Sequence, residues 1–165
     1  VTPTAAFGKV TQRLYGLGAP PRVVHNGRRA IASASAAPHD FVFTAGRLWD
    51  AGKNLTTLDA AAERIAVPVH AAGPLKGPNG TEVLFDNLHC LGALGEEELG
   101  RWLAARPVFV SAALYEPFGL AVLEAAQAGC PLILSDIPTF RELWEGDAIF
   151  VDPRDERGFT RAISN

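Results

Sequence analysis

Short, uninterrupted runs of apolar residues recur along the whole chain, and most are separated by stretches with helical character. Seven of these runs predict β-strands, at residues 22–25, 41–45, 67–72, 88–91, 108–112, 131–134 and 148–151. They do not alternate apolar with polar positions, as a strand with one wet face would. Continuous apolar runs are typical of strands that are covered on both faces, as in a parallel sheet.

The stretches between these runs predict helices, at about residues 4–15, 55–66, 96–105, 120–129, 139–144 and 155–164. Thr4 and Asn54 are expected to cap the first two helices, and Gly16 to end the first. The pair Asn26-Gly27 predicts a turn with positive φ, and residues 28–39 and 73–80 predict loops. Strands that alternate with helices predict an α/β class with a Rossmann-like, doubly wound parallel sheet, here as a single domain over residues 1–165.

Composition narrows the classes of partner. The net charge is −3 and the basic residues are scattered, so we expect neither nucleic acid nor an anionic membrane as a ligand. We find no signal peptide and no apolar run long enough to form a transmembrane segment. Cys90 and Cys130 each lie beside an apolar run and are expected to be buried free thiols, with a disulfide as the alternative. Free thiols favour a reducing, cytoplasmic location.

Ligands bind at the carboxyl ends of the strands in such sheets, so the residues that follow strands are the candidate site. The turn from Glu116 to Gly119 leads from one predicted strand into a helix that begins near Leu120. Backbone amides at Gly119 and Leu120 would offer an anion site at the helix N-terminus. Glu116 and Glu124 could accept hydrogen bonds from sugar hydroxyls, which together with the amides suggests a nucleotide-sugar. Alternatively, Glu116 caps the helix and Glu124 pairs with a surface cation.

Two other segments follow strands. Gly46 and Arg47 lie between a strand and a helix start, with Lys53 six positions beyond Arg47. A guanidinium and an ammonium placed there could bind phosphate oxygens, or they could be solvated loop cations. Asn26 and Gly27 could approach a donor phosphate, or they could simply form a turn.

Several absences narrow the site further. The sequence has no Asp-x-Asp triplet, no phosphate-binding P-loop, no Gly-x-Gly-x-x-Gly and no histidines at metal-ligand spacing. We therefore expect no metal ion and no cofactor. The positive charge for a diphosphate must then come from Arg47, Lys53 and backbone amides.

The segment 114–125 resembles the E-x7-E signature of retaining glycosyltransferases of family 4 and its relatives. Gly46-Arg47-Leu48 with Lys53-Asn54 resembles the Gly-Arg-Leu…Lys-Asn segment of that family, and His25-Asn26-Gly27 is similar to its Pro-Asn-Gly turn. Residues 129–131 and 135–138 continue the likeness in order. The chain departs from the pattern at Ala112-Ala113, where the family often has Pro-Ser, and at Arg28-Arg29, where it has Val-Asp.

The resemblance implies one half of a GT-B fold, the C-terminal domain that binds the donor. It implies that Arg47 and Lys53 bind the donor diphosphate with Gly46 and the amides of Gly119 and Leu120. Glu116 would then hold sugar hydroxyls near the anomeric carbon, Glu124 would accept from the ribose, and Asn26 and Gly27 would lie near the donor. Arg47, Lys53 and Glu116 would support transfer with retention.

Acceptor contacts in this family lie mostly in an N-terminal domain of the same polypeptide. We therefore expect the isolated chain to bind a nucleoside-diphosphate sugar weakly and to transfer nothing. Two other classes of function stay open. One is a sugar-nucleotide epimerase or a phosphorylase with the same architecture. The other is a non-catalytic domain that binds a nucleotide or another protein.

Overall fold

The computed structural model describes residues 1–31, 37 and 39–165. The described residues form one six-stranded sheet that is parallel throughout, with the order β3-β2-β1-β4-β5-β6. The strands are β1 (Val42–Ala45), β2 (Val69–Ala72), β3 (His89–Gly92), β4 (Val108–Ser111), β5 (Leu132–Ser135) and β6 (Ile149–Val151). The order reverses between β1 and β4, which is the arrangement of a doubly wound Rossmann sheet.

Helices cover both faces of the sheet. They are α1 (Ala5–Tyr15), α2 (Leu55–Ala62), α3 (Glu96–Ala104), α4 (Leu120–Gln127), α5 (Pro138–Trp144) and α6 (Glu156–Ser164). Neighbouring strand residues belong to opposite cores, because Val42 clusters with Leu58 and Phe159 whereas Phe43 clusters with Val122 and Phe140. This two-sided burial explains the continuous apolar runs and confirms the predicted α/β class.

Short-range signals formed as expected at several helix ends. Thr4 caps α1, since its hydroxyl oxygen accepts a hydrogen bond from the Phe7 amide at 3.2 Å. Gly16 ends α1 in the left-handed region at φ 61°. Asp155, predicted as the first residue of α6, is its cap instead, and accepts from the Gly158 amide at 2.8 Å.

Two predictions near the N-terminus are wrong. Residues 22–25 form no strand of the sheet; Val23 makes only an isolated parallel bridge to Thr2. That segment pairs with the beginning of the chain instead, through the Thr2 amide to the Arg22 carbonyl and the Val24 amide to the Thr2 carbonyl, both at 2.9 Å. Asn26-Gly27 is not a left-handed turn, because neither residue has a positive φ.

Some element boundaries also differ from the predictions. Helix α2 ends at Ala62 rather than Ala66, and β2 begins at Val69 rather than Val67. Pro68 explains part of this difference, since it disfavours helical geometry at the residue before it. The predicted loop 28–39 has no regular structure at its described positions, and residues 32–36 and 38 lie outside the described residues.

Cys90 and Cys130 are both free thiols, Cys130 buried and Cys90 partly buried. Burial raises the pKa of the Cys130 thiol to about 11. Within the described residues, no helix is both long enough and apolar enough to cross a bilayer.

Candidate functional site

A cleft of about 390 Å³ opens at the carboxyl ends of β1 and β4. The two strands are neighbours, and the chain leaves them toward opposite halves of the sheet, so the loops that follow them diverge. Seven of the residues predicted for the site line this cleft: Asn26, Gly46, Arg47, Lys53, Glu116, Gly119 and Leu120. The two cations and Glu116 therefore meet at the same edge of the sheet.

The turn from Glu116 to Gly119 forms the wall that follows β4. Gly119 has φ 91° and precedes α4, and a Cβ there would lie 3.0 Å from Cε1 of Phe140, so both backbone and space require glycine. The Thr4 hydroxyl donates to the Pro117 carbonyl at 3.0 Å and holds the turn from the other side. Leu120 to Val122 line the cleft, so α4 brings its N-terminal turn to it.

The wall that follows β1 carries the cations. The Arg47 guanidinium donates from Nη2 to Asp50 Oδ2 at 2.7 Å and lies 5.6 Å from the centre of the Trp49 ring. Residues Ala51–Lys53 form a single turn of 3₁₀ helix. Asp50 caps this turn, since its Oδ1 accepts from the Gly52 amide at 2.9 Å. Asp50 thus holds both Arg47 and the turn that carries Lys53.

The two walls are joined directly. Lys53 Nζ contacts Glu116 Oε2, and both side chains are largely buried. The Gly52 carbonyl accepts a hydrogen bond from the Leu114 amide at 2.9 Å. The ion pair and this backbone bond fix the distance between the cations and the E-x7-E turn.

Asn54 also joins the walls, although it was predicted as a helix cap. It precedes α2 in the left-handed conformation at φ 56°, and its Oδ1 accepts from the Thr57 hydroxyl at 2.9 Å rather than from a backbone amide of the helix. Its side chain is buried, and Nδ2 donates to the carbonyls of Ala112 at 2.9 Å and Pro153 at 2.7 Å. The amide side chain therefore stitches the loop after β1 to the ends of β4 and β6.

Glu124 lies outside the main cleft, in an adjoining hollow of about 260 Å³. The two share Ala45, Gly46 and Ala121, and the rest of the hollow comes from the exits of β2 and β3, from Leu99 on α3 and from Glu124 itself. Glu124 is only 9% exposed and pairs with Arg28, whose Nε lies 2.5 Å from Oε1. The expected alternative, a pair with a surface cation, is thus partly met, because Arg28 is 41% exposed while the carboxylate is buried.

Sequence reasoning assigned no role to Arg28, Asp50 or Thr4 in the site. Asp50 could have been found, because an Asp directly before a Gly-containing turn is a frequent cap and it stands three residues after Arg47. The contact from Arg28 to α4 and the one from Thr4 to Pro117 join distant parts of the chain and leave no local signal. Gly27 lines neither the cleft nor the hollow.

The arrangement can bind an anion with two cations and a helix N-terminus, and it can accept hydrogen bonds with the partly buried Glu116 and the buried Glu124. In residues 1–31, 37 and 39–165, no three His, Cys, Asp or Glu side chains gather so as to hold a metal ion. These groups are the ones that a phosphorylated, hydroxyl-rich ligand requires.

The family described as "Glycosyl transferases group 1" matches residues 39–165. The chain belongs to this family. The match includes both walls of the cleft and all of the sheet. Residues 1–38, with Thr4, Asn26 and Arg28, lie before it.

Two curated relatives resemble parts of this glycosyl transferase chain. It is 42% identical over 50 residues to the O-antigen chain mannosyltransferase RfbU of Salmonella typhimurium, which covers 30% of the chain and 14% of the relative. It is 35% identical over 65 residues to the O-antigen chain mannosyltransferase B of Escherichia coli, covering 39% and 17%. The matched segments are short parts of both relatives.

Solved structures show the fold of the glycosyl transferase chain. The sucrose-phosphate synthase of Thermosynechococcus elongatus superposes with a TM-score of 0.75 at 23% identity, over 94% of this chain and 46% of that one. The pneumococcal O-GlcNAc transferase GtfA, solved with UDP and GlcNAc, has a TM-score of 0.72 at 17% identity, over 98% and 37%. The chain has the Rossmann-like domain of GT-B glycosyltransferases and spans less than half the length of these two structures.

Proposed function

We propose that this chain is the donor-binding domain of a glycosyltransferase that moves a sugar from a nucleoside-diphosphate sugar to an acceptor with retention. One observation carries the proposal: Arg47, Lys53, Glu116 and the N-terminus of α4 line the same cleft at the reversal of the strand order. A diphosphate fits this set, because each cation and each helix amide favours negative charge.

The donor diphosphate binds between Arg47, Lys53 and the amides of Gly119 and Leu120, close to Gly46. Glu116 accepts hydrogen bonds from the donor sugar near its anomeric carbon. Its contact with Lys53 supports this assignment, since the sugar of a nucleoside-diphosphate sugar is attached directly to the phosphate that we assign to Lys53. Asn26 closes the cleft from the N-terminal segment. Gly27 follows Asn26 in the chain, and we propose that only its backbone lies near the donor.

The nucleoside occupies the adjoining hollow, with its ribose hydroxyls on Glu124. Arg28 already pairs with that carboxylate at 2.5 Å and supplies the partner that a buried charge needs, so the ribose hydroxyls share Glu124 with Arg28. The hollow adjoins the diphosphate cleft, since both are lined by Ala45, Gly46 and Ala121, and we propose that one ligand spans the two.

Transfer passes through an oxocarbenium-like state as the bond to the leaving diphosphate breaks. Arg47 and Lys53 stabilise the charge that develops on the leaving group, and preorganised charges of this kind supply much of the rate enhancement of enzymes. We propose that these two side chains do this without a metal ion. We place the reaction in the cytoplasm, which suits the free thiols of Cys90 and Cys130.

Acceptor binding is assigned to another domain of the same polypeptide, so the isolated chain binds donor weakly, in the ~mM to µM range, and does not transfer. Domain closure is needed to exclude water from the reacting sugar. Turnover by this chain alone in a glycosyl-transfer assay would show that the acceptor site is already present.

A panel of UDP, GDP and ADP with their sugars, read by thermal shift and calorimetry, tests the proposal. GDP-mannose is included because the two curated relatives are mannosyltransferases. We expect one nucleoside diphosphate to raise the melting temperature and its sugar conjugate to raise it further. Binding of inorganic phosphate or a sugar phosphate in preference to every nucleotide would favour a phosphorylase. No response to any of them would favour a domain for protein contacts.

A further inference from the structure

We propose that Asp50 is a positioning residue that sets both cations of the donor-diphosphate site, an inference that rests on the function proposed above. Its carboxylate uses one oxygen for Arg47 and the other for the turn that carries Lys53. Asp50 itself does not line the cleft, so it acts on the ligand only through these neighbours.

Asp50 restricts Arg47, which would otherwise be a mobile surface side chain. The Arg47 side chain is 62% exposed, and an arginine gives up much rotamer freedom when it is fixed on a ligand. The bond from Nη2 to Oδ2 fixes one corner of the guanidinium, and Trp49 lies beside it. A guanidinium has five N–H donors, so a phosphate can bind while this bond persists.

Asp50 positions Lys53 through the backbone. Its Oδ1 accepts from the Gly52 amide, and its carbonyl accepts from the Lys53 amide at 2.8 Å. These two bonds set the geometry of the 3₁₀ turn, and the Gly52 carbonyl in turn anchors the Leu114 amide of the opposite wall. The position of Lys53 relative to Glu116 therefore depends on how Asp50 closes this turn.

A positioning role and a bystander role for Asp50 predict opposite changes in anion affinity when its charge is removed. A carboxylate beside an anion site repels the anion, so neutralising a bystander carboxylate strengthens anion binding. A positioning carboxylate does the opposite, because its loss releases Arg47 to sample other rotamers. The direction of the change in affinity on neutralising Asp50 thus separates the two roles.

The test is the Asp50→Asn variant, measured by calorimetry with the nucleoside diphosphate that binds the unaltered chain best. Asparagine keeps an Oδ1 that can cap the Gly52 amide but presents an amide where Arg47 needs an acceptor. We expect the dissociation constant to rise by roughly three- to tenfold, with little change in melting temperature. In the Arg47→Ala background the same substitution should add little, because asparagine still caps the turn that carries Lys53 and the lost acceptor served only Arg47. Asp50→Ser, which keeps a capping hydroxyl, is the second variant if Asp50→Asn folds poorly.

Asp155→Asn is the matched control. Asp155 has the same pair of contacts, accepting from the Gly158 amide at 2.8 Å and from Arg161 at 3.1 Å, but it does not line the cleft. It should leave nucleotide affinity unchanged.

The outcomes separate this inference from the proposed function. Unchanged or tighter binding by the Asp50 variants, with a normal ligand response of the unaltered chain, overturns the positioning role alone. An unaltered chain that binds no nucleoside diphosphate overturns the proposed function and this inference together.

Discussion

Lys53 and Glu116 form an ion pair across the cleft, although 63 positions separate them in the chain. Each comes from the loop that follows one of the two central strands, β1 and β4. The pair is largely buried, and it links the phosphate-binding side of the proposed site to the sugar-binding side. A ligand that binds Lys53 or Glu116 must therefore compete with the ion pair between them.

Replacement of Glu116 by glutamine should separate these two roles. Without the carboxylate, Lys53 is free for the diphosphate, and the bare nucleoside diphosphate should bind tighter by about 0.5–1 kcal/mol, the size of a partly exposed ion pair. The additional affinity that the sugar conjugate shows in the unaltered chain should disappear. Calorimetry with both ligands measures the two effects, and a persisting sugar increment would contradict the role given to Glu116.

Arg47→Ala and Lys53→Ala should each weaken diphosphate binding by roughly 1.5–3 kcal/mol, the range for hydrogen bonds to charged groups. The matched control is Arg101→Ala on α3, an exposed arginine that pairs with Glu97 and lies outside the cleft. The dissociation constants of the three variants for the nucleoside diphosphate test this prediction. Equal affinity in all three would place the diphosphate elsewhere.

Glu124→Gln should reduce discrimination between ribose and deoxyribose. The unaltered chain should prefer a ribonucleoside diphosphate over its 2′,3′-dideoxy analogue by about 1–3 kcal/mol, since each hydroxyl donates to a buried carboxylate. The variant should bind the two ligands almost equally. Glu97→Gln, which changes an exposed carboxylate, should keep the preference. If Glu124→Gln keeps the preference, the ribose does not bind to Glu124 in this hollow.

Gly73→Ala should be much more destabilising than Gly92→Ala. A Cβ at Gly73 would lie 1.7 Å from the Gly46 carbonyl oxygen, which belongs to the backbone of the cleft and cannot rotate away. Gly92 has a positive φ of 72° but nothing within 4 Å of its Cβ position, so only strain of about 1–2 kcal/mol is expected there. Chemical denaturation should show a loss of at least about 3 kcal/mol at Gly73, where overpacking adds to strain. Equal losses would contradict the close approach of the two loops.

The stability of the chain should fall as the pH drops below about 6.5. Burial, and secondarily the neighbouring His89, lower the pKa of His70 from its ordinary value of 6.5. The unfolded chain then binds a proton at this residue more readily than the folded chain, so acidification favours unfolding. Denaturation between pH 5 and 7.5 should show this slope, and His70→Phe should flatten it. An unchanged slope in the variant would assign the effect to other groups.

Much of the sheet could be predicted because its four central strands, β1, β2, β4 and β5, are largely buried and therefore consist of short apolar runs. The walls of the cleft were also predictable, since Arg47, Lys53 and Glu116 lie in the loops that follow such strands. The strand predicted at residues 22–25 was wrong because an apolar run does not show whether a neighbouring strand is available to pair with it. The roles of Arg28, Thr4 and Asn54 depend on contacts between distant segments, which spacing along the chain does not encode.

The Thr4 hydroxyl donates a hydrogen bond to the Pro117 carbonyl, 113 positions further along the chain. Helix α1 is also anchored by Glu142, whose carboxylate accepts from the amides of Ala5 and Ala6 at 2.7 Å each. The first helix is thus mechanically continuous with the loop that bears Glu116. A displacement of α1 as a body would therefore pull on the loop that bears Glu116 through Thr4, and on α5 through Glu142.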